Sequence, residues 1–361
     1  MSQDLLFSSF QLGPTLLRNR VVMAPMTRNR SIGNVPGALV AEYYAQRSEA
    51  GLIVTEGTSP APNGLGYARI PGLFNAAHVT AWRRVTDAVH ARGGRMFVQL
   101  MHTGRASHPA NLPAGAHIVA PSAIALPGDG VWVDPDGNKR APVPAAMTAE
   151  QIESTIEEYA HSSELAIEAG FDGVELHGAN GYLIDQFLNV ASNQRTDAWG
   201  GSVANRIRFA VEVARRSAAR IGGDRLGIRL SPFGAFNAMV SDDTTEPLFE
   251  SLAVELSKIG LVYIHLVDHS AMGAPPVPVS VKQKVRTAFK GALILSGGYD
   301  RDRAEADLAE KRADLIAFGR PFLANPRLVT KLQNRSELGA PDFATFYTPG
   351  EKGYTDYPVE A

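Results

Sequence analysis

The chain predicts an α/β fold, a closed (β/α)8 TIM barrel with an N-terminal hairpin cap and a long excursion after the third strand. Three observations carry that expectation. Eight short apolar runs recur along the sequence, each near-continuous, as strands are when both faces are covered. Eight amphipathic stretches alternate with them, the pattern of a parallel sheet wound by crossover helices. The rival, a doubly wound open sheet, lacks a glycine-rich dinucleotide fingerprint after the first strand, and no break divides the chain. Residues 1–361 are therefore expected to form a single barrel domain.

In chain order, residues 5–20 come first; Gly13-Pro14 sits between two short apolar runs, which reads as a hairpin closing the bottom of the barrel. Strands are expected at 21–26, 52–57, 95–101, 173–178, 226–231, 262–267, 293–297 and 314–319. The helices between and after them are expected at 38–50, 79–92, 149–169, 204–221, 244–259, 279–289, 301–311 and 325–334. Thr148 with Gln151 makes a capping box, and Asp300 stands before the helix that opens at Arg301. Gly170 and Gly260 close helices just ahead of strands. Residues 103–148 are rich in proline and glycine and form the long excursion, placed by topology at the catalytic face as a lid.

Composition narrows the function classes. Hydrophobic residues make up 45% and charged residues 20%, the balance of a globular enzyme with a large core. Lys and Arg total 35 against 37 Asp and Glu, with no long basic run, so nucleic acid is not an expected partner. Cysteine is absent, which removes disulfides, thiolate metal sites and a Cys nucleophile together. No acidic cluster suggests a metal site. The first residues, Met1 to Phe7, do not resemble a signal peptide, and no apolar run is long enough to span a bilayer. A cytoplasmic protein is expected, monomeric or homodimeric.

Barrel enzymes keep their chemistry at the C-terminal ends of the strands. There the first strand offers Ala24-Pro25-Met26-Thr27, the second Glu56-Gly57, and the third Gln99 and Met101-His102. The fourth ends in His177-Gly178-Ala179-Asn180-Gly181-Tyr182, the fifth carries Arg229, the seventh ends Ser296-Gly297-Gly298 and the eighth Gly319-Arg320. His177 and Asn180 can hold a carbonyl oxygen while Tyr182 delivers a proton, a combination suited to enolate chemistry rather than hydrolysis. Glycines after strands seven and eight, with Arg320, suit a phosphate. With Arg229, Gln99 and Thr27 as polar edge contacts, flavin mononucleotide fits better than a free sugar phosphate. Arg229, in an apolar strand, needs an anionic partner, and Glu175 is expected to pair with a cation in the core. His102, His265 and His269 read as structural histidines.

These residues resemble the old yellow enzyme family of flavin-dependent ene-reductases, nearly end to end. The resemblance lies in Ala24-Pro25-Met26-Thr27-Arg28, in Gln99-Leu100 with His102-Thr103-Gly104-Arg105, in His177 to Tyr182 with Gln186-Phe187-Leu188, in Trp199-Gly200-Gly201-Ser202 followed by Asn205-Arg206, and in Phe318-Gly319-Arg320-Pro321. The bacterial branch that includes pentaerythritol tetranitrate reductase and N-ethylmaleimide reductase is the most similar part of the family.

The resemblance implies non-covalent FMN, contacted by Ala24, Pro25, Met26, Thr27, Gly57, Gln99, Arg229, Gly297, Gly298, Gly319 and Arg320. It implies NADPH or NADH as reductant and an electron-poor alkene as oxidant, in ping-pong order. His177 and Asn180 would bind the substrate oxygen and Tyr182 would be the proton donor. Tyr67, Met101 and Tyr347 are candidates for the pocket wall; Met101 stands where that branch is expected to carry Trp, which leaves a larger and more adaptable pocket. Two other readings stay open: a barrel lyase or isomerase acting on a phosphorylated substrate, and a non-catalytic flavin-binding protein. The first lacks a strand-end Lys or an acidic cluster; the second does not call for a carbonyl clamp.

Overall fold

A computed structural model describes residues 4–359; Met1 to Gln3, part of the N-terminal stretch considered above, and residues 360–361 lie outside the described residues. The hairpin forms as expected, β1 (Phe10–Leu12) antiparallel to β2 (Thr15–Leu17). Eight parallel strands then close the barrel: β3 (Val21–Met23), β4 (Leu52–Thr58) and β5 (Met96–Leu100), followed after the excursion by the other five. Within the excursion, β6 (Val119–Ala120) pairs with β9 (Ala145–Ala146), and β7 (Val131–Val133) with β8 (Gly137–Lys139). The barrel resumes with β10 (Gly173–Gly178), β11 (Leu226–Leu230), β12 (Tyr263–Val267), β13 (Ala292–Ser296) and β14 (Leu315–Phe318), and β14 pairs back onto β3.

The strands are buried along nearly their whole length, which is why they read as continuous apolar runs rather than alternating ones. The helices α1 (Ala38–Gln46), α2 (Ala76–His90), α3 (Ala149–Glu168), α4 (Leu183–Leu188), α5 (Val203–Ile221), α6 (Thr245–Ile259), α7 (Val279–Ala288), α8 (Arg301–Ala309), α9 (Arg320–Ala324) and α10 (Leu328–Asn334) complete the chain. The Thr148–Gln151 capping box is present at α3, Asp300 caps α8, and Gly260 ends α6 in the left-handed conformation. The helix expected at 325–334 is preceded by a separate turn, α9, which starts directly at the end of β14. The run expected at 21–26 is strand only through Met23; Ala24 N–H still donates to the Phe318 carbonyl (3.0 Å), and Pro25 and Met26 lie beyond the strand.

The C-terminal segment is pinned to the chain that follows β3. Arg28, buried, donates to the carbonyls of Phe346 (3.1 Å) and Gly353 (2.7 Å), and Arg30 to those of Thr345 (2.8 Å) and Phe346 (2.7 Å). Two guanidiniums thus satisfy the carbonyls of a segment that has almost no regular structure of its own. Among the described residues, no helix is long and apolar enough to cross a membrane and no cluster of metal-ligating side chains occurs.

Candidate active site

Strand register gathers the expected residues. Glu175 lies opposite Gln99 on β5 and Gly227 on β11; Arg229 lies opposite His177 on one side and His265 on the other. His177 is two residues beyond Glu175 and shares its inward face. Gly227 has a role here: a Cβ on it would stand 2.3 Å from the ring of Tyr263, which crosses that gap to reach Glu175 on the strand beyond. Glu175 accepts from Gln99 Nε2 (2.8 Å), Tyr263 Oη (3.0 Å) and His265 Nδ1 (2.9 Å).

Burial pushes the Glu175 carboxyl up, but His265, Arg229 and Gln99 outweigh it and hold the acid below its ordinary range. It is an anion at neutral pH. The cation expected beside Glu175 is present only at a distance, because its hydrogen bonds come from an amide, a phenol and an imidazole. Arg229 correspondingly lacks the direct carboxylate expected for it: it is buried, and its Nε has no hydrogen-bond partner. A desolvated guanidinium without a bonded anion marks a place where an anionic or polar group belongs.

Above this layer the chain turns out of β10. Asn180 has φ 60°, the left-handed region that costs a non-glycine residue energy and that Asn tolerates best among the larger side chains. Three contacts hold the turn. Asn180 N–H donates to Ser231 Oγ (2.8 Å), Gly181 N–H to Asp185 Oδ2 (2.8 Å), and Asn237 Nδ2 to the Asn180 carbonyl (2.9 Å). Burial raises Asp185 to about 7.

His177 and Tyr182 stand side by side at the end of β10. His177 Nδ1 accepts from Ala179 N–H at 3.3 Å, so the ring proton sits on Nε2. Burial, with the charge of Arg229 added, drives the His177 imidazole well below its ordinary value, so the donor is neutral. The ring of Tyr182 lies 4.8 Å from that of His177 and 5.9 Å from that of Tyr67, both edge to face. Burial raises the Tyr182 phenol well above 10, with Tyr67 adding to the effect. Tyr182 therefore holds its proton throughout the physiological range.

The remaining expected residues fall into two groups. Met101 is 1% exposed and packs with Tyr182, Leu65 and Ile70; its thioether fills the space above Gly57, where a Cβ would stand 2.4 Å from Sδ. It backs the two tyrosines rather than opening onto solvent. Tyr67 is half-buried, and Tyr347, 59% exposed, stands at the rim, its carbonyl held by Arg69. Ala24, Pro25, Met26 and Thr27 follow β3, while Gly297, Gly298, Gly319 and Arg320 follow the adjacent strands β13 and β14. Among the described residues, neither Gly298 nor Gly319 donates its N–H to another protein group.

Two residues escaped the sequence. His102 is the structural histidine expected, its Nδ1 accepting from Gly104 N–H, and His265 serves Glu175. The sequence groups His269 with them, but the fold turns its Nε2 onto Asn180 Oδ1 at 2.7 Å. Asn237, in the loop after β11, was missed altogether. No local signal marks either, since both meet Asn180 only through barrel closure. A cavity of about 890 Å³ lies at the opposite end, beneath the hairpin, lined by Phe10, Leu12, Arg20, Val262, Arg286 and Asp314. None of the expected site residues borders it, and Arg286 and Asp314 already pair at 2.6 Å.

Residues 5–338 match the family described as NADH:flavin oxidoreductase / NADH oxidase. The chain is 43% identical to chanoclavine-I aldehyde reductase of Penicillium roqueforti, over 99% of this chain and 96% of that one. It is 40% identical to a Leishmania infantum protein named "probable flavin mononucleotide-dependent alkene reductase", over 99% and 98%. The solved structure of morphinone reductase in complex with tetrahydroNAD superposes with a TM-score of 0.93 at 42% identity, covering 98% of this chain and 97% of the other.

Proposed function

We propose a function on the premise that this chain belongs to the NADH:flavin oxidoreductase / NADH oxidase family, the family of the old yellow enzymes: it is an FMN-dependent reductase of activated carbon–carbon double bonds, driven by NADPH or NADH. Its substrates are α,β-unsaturated carbonyl compounds, its compartment is the cytoplasm, and its single barrel domain spans the chain.

The residues fit FMN. Arg229 is a buried guanidinium with an unpartnered Nε, and Gln99, its Nε2 committed to Glu175, has its amide oxygen left to accept. Together they supply the charge and the acceptor that a pyrimidine edge needs. Thr27, with Ala24, Pro25, Met26 and Gly57, would border the ring, and Gly297, Gly298, Gly319 and Arg320 would hold the phosphate. When bound and reduced by the nicotinamide, FMN supplies the hydride that reaches the alkene β-carbon.

The chain's own residues do the rest. His177 Nε2–H and Asn180 Nδ2–H donate to the substrate carbonyl oxygen. Negative charge grows on that oxygen as the alkene is reduced, so preorganised neutral donors favour the transition state over the bound substrate. His177 and Tyr182 are buried and Asn180 half-buried, which limits water at the site and strengthens both bonds. Tyr182 Oη then gives its proton to the α-carbon, and its raised pKa keeps that proton in place until a carbanionic centre accepts it.

The observation that carries this reading is the neutral His177 imidazole beside the protonated Tyr182 phenol, on the strand next to a buried guanidinium whose Nε has no partner. The test is steady-state consumption of NADPH by the FMN-loaded protein with 2-cyclohexenone, the product identified by gas chromatography. Formation of cyclohexanone supports the reading; NADPH oxidation only by dioxygen, with the enone untouched, removes the substrate class.

A further inference from the structure

Asn180 is useful to a substrate oxygen only when its amide faces the right way. A carboxamide carries two N–H donors and an acceptor oxygen on one carbon. The donor end stabilises charge growing on a carbonyl, and the acceptor end opposes it. The contacts from Ser231, Asp185 and Asn237 fix the backbone of this turn, and so fix where Asn180 Cβ points. They do not decide which end of the amide leads, because the terminal torsion of Asn is broad.

The side-chain contact that does decide it is His269. Its Nε2 lies 2.7 Å from Asn180 Oδ1, a distance that requires one proton between them. A proton on His269 Nε2 commits Oδ1 and leaves both Nδ2 hydrogens for the site. The imidazole itself is firmly mounted. It follows β12 directly, beside Asp268, whose carboxylate accepts from Ser270 N–H (3.0 Å), Val277 N–H (3.3 Å) and Lys282 Nζ (2.9 Å) and so braces the loop.

We propose that His269 is a positioning residue for substrate binding, holding the Asn180 amide so that Nδ2 is presented to the substrate oxygen. The proposal rests on the alkene-reductase reading given above. The titratable and charged groups around the ring are Arg229, Asp268 and the neutral imidazole of His177; burial and Arg229 lower the His269 imidazole to about 4, so it stays a neutral donor across the working pH range. Its contribution is therefore constant with pH rather than switched by it.

The test is calorimetric binding of 2-cyclohexenone to the oxidised, FMN-loaded protein, which reads affinity without turnover. Wild type, His269→Ala, Asn180→Ala, the double variant and His269→Gln are compared. The expected result is that His269→Ala weakens binding about tenfold, the scale of one well-placed hydrogen bond. The same substitution has no effect in the Asn180→Ala background, and His269→Gln, whose amide can still donate, recovers most of the loss. Retained FMN and an unchanged melting temperature show that the loop is intact. Equal losses in both backgrounds would mean that His269 acts independently of Asn180, and no loss would mean that it positions nothing; either overturns the proposal. A wild-type protein that neither binds the enone nor is reoxidised by it overturns the underlying reading, and the role of His269 with it.

Discussion

Tyr182 gives the most direct prediction at the scale of a single residue. Its phenol is buried against His177 and Tyr67 and held protonated. Tyr182→Phe removes the proton and leaves the ring. Reduction of bound flavin by NADPH should persist, while reoxidation by an enone should slow by ~10²–10⁴, the usual worth of a general acid. Rapid-mixing measurement of the two half-reactions separates them, and an unchanged enone rate removes Tyr182 as the donor. His177→Ala should lose a charge-stabilising donor worth roughly 2–4 kcal/mol of barrier, read as kcat/KM for the enone. The sequence made this trio legible because its members lie within six residues at one strand end. His269 was not legible: it stands 89 positions from Asn180, and nothing in its own neighbourhood separates it from His265.

At the scale of elements, the turn from β10 into α4 depends on Asp185, and its ionisation gives a pH prediction. Burial raises this carboxyl to about 7, far above its ordinary value. Between about pH 4 and 7 the folded chain keeps a proton that the unfolded chain has lost, so stability is full below that window and falls as pH rises through 7. Glu56, raised by burial to about 7 in β4, contributes in the same direction. Denaturation between pH 5 and 8 should show this decline, and Asp185→Asn, which keeps an acceptor for Gly181 N–H, should make it shallower, leaving the share of Glu56. A decline that is as steep in the variant would place the proton elsewhere. Two further elements follow the same logic. Arg28→Ala should strand the carbonyls of Phe346 and Gly353, cost ~3 kcal/mol or more, and open the C-terminal segment to protease. Met101→Trp should press on Gly57 and the paired tyrosines and narrow the range of bulky enones reduced; a range equal to that of the parent would show that Met101 does not shape the pocket.

The whole molecule shows how far pattern reaches. The barrel was readable because every strand is covered on both faces, which leaves a continuous apolar run that a half-exposed strand would not. The capping box at Thr148 and the cap at Asp300 were readable because capping is local chemistry. The six-residue helix α4 was not, being too short to show a period. Nor was the cluster at Glu175: its partners come from β5 and β12, brought to one layer only by closure and register. That cluster sets a property of the assembled site. Glu175→Gln would remove a buried anion near Arg229 and should raise the midpoint potential of bound FMN, measured by reductive titration.

The central claim, that the mouth of this barrel reduces activated alkenes through bound FMN, is tested most directly by an anaerobic titration followed in the visible spectrum. NADPH is added first and 2-cyclohexenone second. The account predicts a yellow protein that bleaches with NADPH and regains its colour with the enone. A protein that bleaches and stays bleached would contradict the substrate assignment, and one that neither carries nor takes up FMN would contradict the account as a whole.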